Sequence, residues 1–271
     1  LLTDMNAEII LFTRKSNFKS KFDKTFNNIN IKFVEWDIDN FETIEKNILG
    51  VDCIINLCGI LFENKKGDFY KVHSKLPAYL GKISSQKKIN TLIHVSALGV
   101  SADSRSRYSR SKALGEKNLI ENFPKGKILR PSLLYGKGDN FFGQFSKMSS
   151  FSPVLPLISR FTKFQPVFVG DVAMAIINIA NNKNDGENFY ELVGRSVYSF
   201  EELLKIFLEI KNIKRFLLPL NPNVMMIPAF FLQYLPKPPF TVDQMKLLKK
   251  DNIKINNFPG LEELGVNPTD M

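Results

Sequence analysis

Four short apolar runs, alternating with polar stretches of helical spacing, constrain the fold of these 271 residues more than any other feature. EIILFT at 8–13, IKFVEW at 31–36, DCIINL at 52–57 and TLIHVS at 91–96 are too short for helices of ordinary length and rich in β-branched and aromatic residues, so they read as strands. Residues 40–49, 68–88 and 109–122 repeat their apolar positions at the helical period. Strands alternating with helices imply βαβ units and a parallel sheet. Runs that stay apolar on both faces imply helices covering each side of it. The expected class is α/β, a Rossmann-like doubly wound parallel sheet.

After Gly138 the rhythm changes. Residues 141–150 and 171–181 read as helices, ENFYELV at 187–193 as a strand, and 200–211 as an amphipathic helix that Ser199 can cap. A proline-rich stretch then leads to a helix over 242–249. We expect a Rossmann-type domain over 1–138 and a mixed region over 139–271. The latter returns partly to the sheet at about 164–193 and adds a small α-rich lobe. The start departs from the pattern. A doubly wound sheet opens with a strand, a glycine-rich turn and a helix whose N-terminus meets a pyrophosphate. Here residues 1–6 read as the tail of that helix, so the first strand and its Gly-x-x-Gly-x-x-Gly turn are expected to be missing. The end, just after LEELGVNP, reads as a second cut.

Composition narrows the classes. Apolar residues make up 44% and charged residues 24%, an ordinary globular balance. The net charge of +10 suits an anionic partner, but no run of five like charges marks a nucleic-acid tail, and a solvated basic surface explains it as well. Cys53 and Cys58 cannot form a disulfide framework and fit a reducing compartment. His73 and His94 stand apart from any cysteine or carboxylate cluster, so no metal site is expected. The apolar stretch 216–235 is interrupted by Pro219, Pro222 and Pro228 and carries Asn221 and Asn223, which argues against a membrane span. No signal peptide is read.

The chemistry-bearing residues gather at strand ends. Tyr108 and Lys112 form Tyr-x-x-x-Lys at the start of a helix, where a spacing of four puts both on one face. An ammonium nearby favours a phenolate, so Tyr108 can act as an acid or base, and Lys112 can also hold ribose hydroxyls. The plain alternative is a solvated helix turn. Ser96 closes the preceding strand, where its hydroxyl can orient a carbonyl or simply bond to backbone. Asn56 and Gly59 end the strand before that, and the glycine lets backbone approach a ring. Thr13, Arg14 and Lys15 stand at the end of EIILFT, the point that faces the adenosine ribose in this fold. A basic pair there favours the extra phosphate of NADP(H) over NAD(H). Asp37 follows the next strand and can meet an adenine or be a surface aspartate.

Together these residues resemble the extended and atypical short-chain dehydrogenase/reductases. More narrowly, the chain resembles the alpha-subcomplex subunit nine family of respiratory complex I and its bacterial relatives. The stretches that carry the likeness are HVSALGVSADSRSRYSRSKALGEK at 94–117, ILRPSLLYGKGDNFFGQF at 128–145, FQPVFVGDVAMAI at 164–176 and PKPPFTVDQMKLLKKDN at 236–252. The resemblance implies an accessory or assembly subunit of the membrane-bound NADH:quinone oxidoreductase, partnered by that enzyme's other subunits. It implies a bound, mainly structural NADP(H). Its place would be the cytoplasmic side of a bacterial inner membrane, or the mitochondrial matrix side, with contact to the membrane surface. By position, Arg14 would reach the adenosine phosphate, Asp37 and Ile38 the adenine, and Cys58 and Gly59 the middle of the cofactor. Tyr108 and Lys112 would meet the nicotinamide ribose, with Pro131, Ser132 and Leu133 lining the nicotinamide. Two departures matter: the glycine-rich loop is absent, so the main phosphate contact is not assigned, and Ala97 follows Ser96 where many active relatives carry a second serine, which counts against turnover. The competing expectation is a free-standing NAD(P)-dependent reductase or epimerase acting on a small carbonyl or sugar nucleotide, with Tyr108, Lys112 and Ser96 as its catalytic set.

Overall fold

A computed structural model describes residues 7–14, 31–181, 186–235 and 238–271. The strand-like runs are strands, and all of those in the first half pair in parallel. Cys53–Asn56 (β3), Thr91–Val95 (β4), Lys127–Pro131 (β5) and Phe189–Leu192 (β10) form one sheet in the order β10-β5-β4-β3. Ile9–Thr13 (β1) and Ile31–Glu35 (β2) form a separate parallel pair. Among the described residues β1 and β3 are not bonded to each other. Phe12 of β1 and Ile54 of β3 nevertheless pack on the same hydrophobic cluster, so both lie against one layer.

Helices cover both faces, as the doubly apolar strands require. On one side, Phe41–Asn47 (α1), Asp68–Tyr70 (α2), Leu76–Gln86 (α3) and Arg107–Asn122 (α4) flank the sheet, and Leu76, Ile83, Leu92, Leu119 and Ile128 are buried there. Each such side chain contributes about 1.5–3 kcal/mol by leaving water. The long helical pattern at 68–88 is interrupted by a π-helical turn, Lys71–Lys75. That turn presses on Gly115 of α4 so closely that a Cβ there would lie 1.7 Å from the His73 carbonyl oxygen. On the other side, Val169–Ala180 (α6) buries Val172, Ala175, Ile176 and Ile179 against Ile93 and Leu129. A fork joins the layers at the far edge: Arg130 donates to both oxygens of Glu116 at 3.1 and 2.6 Å and lies over the rings of Phe189 and Phe258.

The remaining elements build the lobe. Asn140–Phe151 (α5) and Phe200–Ile210 (α7) interlock through Phe141, Phe142, Phe145, Phe200 and Phe207. Ser199 and Glu202 form the reciprocal cap of α7. Leu134–Tyr135 (β6) pairs with Val167–Phe168 (β9), and Lys163–Phe164 (β8) with Tyr198–Ser199 (β11). The proline-rich stretch is more regular than its composition suggests. Phe216–Leu220 (β12) pairs in parallel with Val154–Ile158 (β7), and Pro222–Leu232 (α8) is a helix. Pro222 sits in the first turn, where no amide hydrogen bond is lost. Val242–Leu247 (α9) follows, closed at its start by Thr241 and Gln244. A 3-10 turn, Glu262–Leu264, packs under α6 and ends the fold. No described helix is long and apolar enough to cross a membrane.

Candidate functional site

The C-terminal ends of β3, β4 and β5 and the first turns of α4 meet at one edge of the sheet. Open α/β sheets bind ligands at such an edge. Ser106 caps α4, its hydroxyl accepting from the Ser109 amide, and this fixes where Tyr108 and Lys112 leave the helix. Lys112 is buried, and its Nζ donates to the Val95 carbonyl oxygen at 3.0 Å. Burial pulls its ammonium down to about 8. Gly59 neighbours this ammonium: a Cβ there would lie at ordinary contact distance, 3.5 Å, from Nζ. Cys58 stands beside them; burial raises its thiol, while Arg14 and Lys112 pull the other way. Cys53, earlier in β3, is pushed up to about 11 by burial and neighbouring Asp52. Both cysteines are free thiols.

The expected partnership of Lys112 with a Tyr108 phenolate is not formed here. The ammonium is turned to Val95, and burial pushes the Tyr108 phenol up to about 12. Tyr108 instead joins an aromatic group, edge-on to His73 with ring centres 5.2 Å apart and to Phe69 at 5.9 Å. Ser96 is buried and its Oγ has no hydrogen-bond partner. Its amide is used, donating to Leu129 O at 2.7 Å, so the hydroxyl is what is left over. Pro131 and Ser132 are buried at the end of β5, with Leu133 half-buried after them. Leu98 N donates to Pro131 O, which brings the loop after Ser96 against this wall.

The other expected contacts lie at the sheet's far side. Thr13 ends β1, its carbonyl accepting from Trp36 N at 2.9 Å, and Arg14 is exposed beyond it. Lys15 lies outside the described residues. Asp37 is exposed and its carboxylate accepts from Asp39 N, so in this structure it closes a turn. Ile38 is half-buried against the α1–α3 cluster.

Three polar arrangements were not foreseen from the sequence. Asn56 Nδ2 donates to His94 Nδ1 at 3.0 Å, and the Asn56 oxygen accepts from Cys58 N at 3.1 Å. His94 is buried, its Nε2 has no partner, and burial holds it well below the ordinary imidazole range. A relay runs from the β3 loop to α4. Ile60 N donates to His73 Nε2 at 3.1 Å, so Nδ1 carries the proton and faces Ser111 Oγ at 2.9 Å. Ser111 Oγ then donates to Tyr108 O at 2.8 Å. Burial and the Lys112 charge drop His73 to about 3. Finally, Asp243 and Asn252 reach the site from the lobe. The only sequence signal for His73 is its place in the long helical pattern; contacts from 243 and 252 leave none.

The residues fit a dinucleotide. An ammonium beside the β3 loop, an unpartnered buried hydroxyl and a basic side chain at the end of β1 suit a ribose, a nicotinamide amide and a phosphate respectively. Two clefts lie apart from these strand ends. A cleft of about 590 Å³ is lined by Arg160, Phe161, Asn223 and Lys249 in the lobe, and one of about 240 Å³ by Glu63, Phe69, Arg107 and Ser111 on the outer side of α4. The chemistry gathers at the strand ends, not in the larger cleft. Among the described residues no group of three His, Cys, Asp or Glu could hold a metal ion.

Sheet order, helix placement and the Tyr-x-x-x-Lys helix define an extended short-chain dehydrogenase/reductase fold. Triphenylmethane reductase of Citrobacter sp., solved with NADP(H), shares it with a TM-score of 0.72 at 16% identity, over 97% of this chain and 87% of that one. In sequence the chain resembles complex I subunit 9. It is 31% identical over 251 residues to the mitochondrial NADH dehydrogenase (ubiquinone) 1 alpha subcomplex subunit 9 of Mus musculus, covering 89% of this chain and 64% of the mouse protein. The Dictyostelium discoideum protein of the same name is 28% identical over 239 residues, 87% of this chain and 67% of its own length. The chain thus spans about two thirds of these relatives. No family model matches it.

Proposed function

We propose that this protein is an NADP(H)-binding accessory subunit of a respiratory NADH:quinone oxidoreductase, and that the nucleotide is held as a structural group. The observation that carries this reading is the state of the Tyr108–Lys112 pair. The motif is present, yet Tyr108 packs against His73 and Phe69 with its phenol pushed up to about 12, and one donor of the Lys112 ammonium is turned to the Val95 carbonyl. Acid–base turnover by the phenol calls for the ammonium beside it. A cradle for a resident nucleotide does not. The nicotinamide would supply hydride chemistry where a substrate could reach it; Lys112 would hold the ribose, Ser96 the carboxamide side, and Arg14 the 2′-phosphate. Cys58 and Gly59 would line its middle, and Pro131, Ser132 and Leu133 the ring.

Docking on the other subunits at the membrane surface is supported by α8. Its sequence PNVMMIPAFFL carries no charge, yet Val224, Ile227, Phe230 and Phe231 are exposed, with Tyr234 and Leu235 beyond them. Apolar patches of this kind rarely face water on a free monomer. Met225 and Met226 pack inward on the lobe. The matching place in a cell is the matrix or cytoplasmic face of the energy-transducing membrane. Tagging the protein in its native host and solubilising the membranes in mild detergent tests the reading. Co-migration with NADH:quinone oxidoreductase activity on a native gel is expected. Migration as a free protein, with steady NADPH-dependent reduction of carbonyl substrates, would favour the free-standing reductase for which the retained motif leaves room.

A further inference from the structure

The stretch after Thr241 crosses the edge of the sheet where the site lies and touches it at both of its ends. Near its start, the Asp243 carboxylate accepts from Ser106 Oγ at 2.6 Å, from Arg107 N at 2.7 Å and from Tyr108 N at 3.0 Å. These amides belong to the first turn of α4, which a helix leaves without internal partners, and the positive end of the helix dipole favours the charge. Near its end, Asn252 Nδ2 donates to Leu98 O at 3.2 Å, while Asn252 Oδ1 accepts from Ser132 Oγ at 2.7 Å. Segment 242–252 therefore grips the turn that carries Tyr108, the loop that follows Ser96, and Ser132 at the mouth of β5. Its outer face continues into the lobe. Lys249 Nζ donates to Asn223 Oδ1 at 2.5 Å, and Met245 packs with Ala229 of α8.

We infer that Asp243 and Asn252 are positioning residues of the dinucleotide site, and that segment 242–252 is a strap whose seating and the binding of NADP(H) stabilise each other. This rests on the proposed NADP(H) reading and extends it from the groups that face the nucleotide to the groups that hold them. The physical reason is linkage. Three walls of the nicotinamide end are fixed by one segment, so a ligand that needs those walls in place favours the seated strap, and the seated strap favours the ligand by the same factor. A capping role alone would tie Asp243 to the stability of α4 and leave nucleotide exchange untouched.

The test follows NADPH on the purified full-length protein by its fluorescence, with hydrogen exchange read on the same samples. In Asp243→Asn and in Asn252→Ala, the NADPH dissociation rate is expected to rise about tenfold, the scale of one charge-assisted or well-placed buried hydrogen bond. In the wild type, NADPH should slow amide exchange across 242–252 as well as at 107–109; in the variants the protection of 242–252 should be lost. Asn252→Ala leaves the α4 cap intact, so it keeps the test open if Asp243→Asn unfolds that turn. Unchanged dissociation rates in folded variants, or no NADPH-dependent protection of 242–252 in the wild type, would overturn the strap while leaving the cofactor reading in place. A wild-type protein that holds no NADPH would overturn both.

Discussion

His73 gives the sharpest handle on the polar seam beneath the site. It is buried in the π-helical turn, receives the Ile60 amide on Nε2, and sits near the Lys112 charge, which together with burial drop it from 6.5 to about 3. The folded protein therefore keeps His73 neutral at pH values where the unfolded chain takes up a proton. Stability associated with this group is complete above about 6.5 and is lost as pH falls from there toward 3. At pH 4.5, two pH units below the unfolded value, the loss is about 2–3 kcal/mol, since each unit is worth about 1.4 kcal/mol. His73→Gln keeps an acceptor for Ile60 but cannot ionise. Urea unfolding of both proteins at pH 7.5 and 4.5 separates this term from the carboxylates and His94, which both proteins share. The wild type should lose about 2–3 kcal/mol more than His73→Gln over that interval. Equal losses would mean that His73 is protonated in the folded state, or solvated, and the Ile60–His73–Ser111–Tyr108 relay would have to be abandoned.

Gly115→Ala should destabilise the fold by about 3 kcal/mol or prevent folding, because the new Cβ would meet the His73 carbonyl oxygen at 1.7 Å; a thermal melt within a few degrees of wild type would refute the packing described. Arg14→Ala should cut the preference for NADPH over NADH about tenfold in titration calorimetry, as expected for one charge-assisted contact to the 2′-phosphate. Equal losses for the two nucleotides would move Arg14 away from that phosphate. Phe231→Glu, on the exposed face of α8, should leave NADPH affinity intact and abolish co-migration with the membrane oxidoreductase. Intact co-migration would place the docking face elsewhere.

The parallel sheet was legible because its strands are short, apolar and evenly spaced, and the pairing of 53–56, 91–95 and 127–131 follows that spacing. The helix carrying Tyr108 and Lys112 was equally plain, though it begins at Arg107 rather than at 109 because Ser106 caps it. What the pattern could not show is where long side chains turn once buried. Lys112 stands at the right spacing for Tyr108 but bonds Val95, because a buried ammonium takes the nearest strong acceptor. In the proline-rich stretch the pattern named no elements, yet two form. Pro222 suits the first turn of a helix and Pro219 lies in β12, whose only bonded neighbour among the described strands is β7, so neither breaks an element. Asp243 and Asn252 lay beyond reach because their partners are more than a hundred residues away in the chain, and tertiary contacts of that separation leave no local periodicity.

The proposed role of the nucleotide is residence without turnover. It is tested most directly by acid and alkaline extraction of the protein purified with its native oxidoreductase, before and during steady NADH oxidation, with NADP+ and NADPH quantified separately. Stoichiometric NADP(H), with a redox ratio that does not change during turnover and is unaffected by Tyr108→Phe, is the predicted result. A nucleotide that is absent, or one that cycles between its oxidised and reduced forms and stops cycling in Tyr108→Phe, would contradict it.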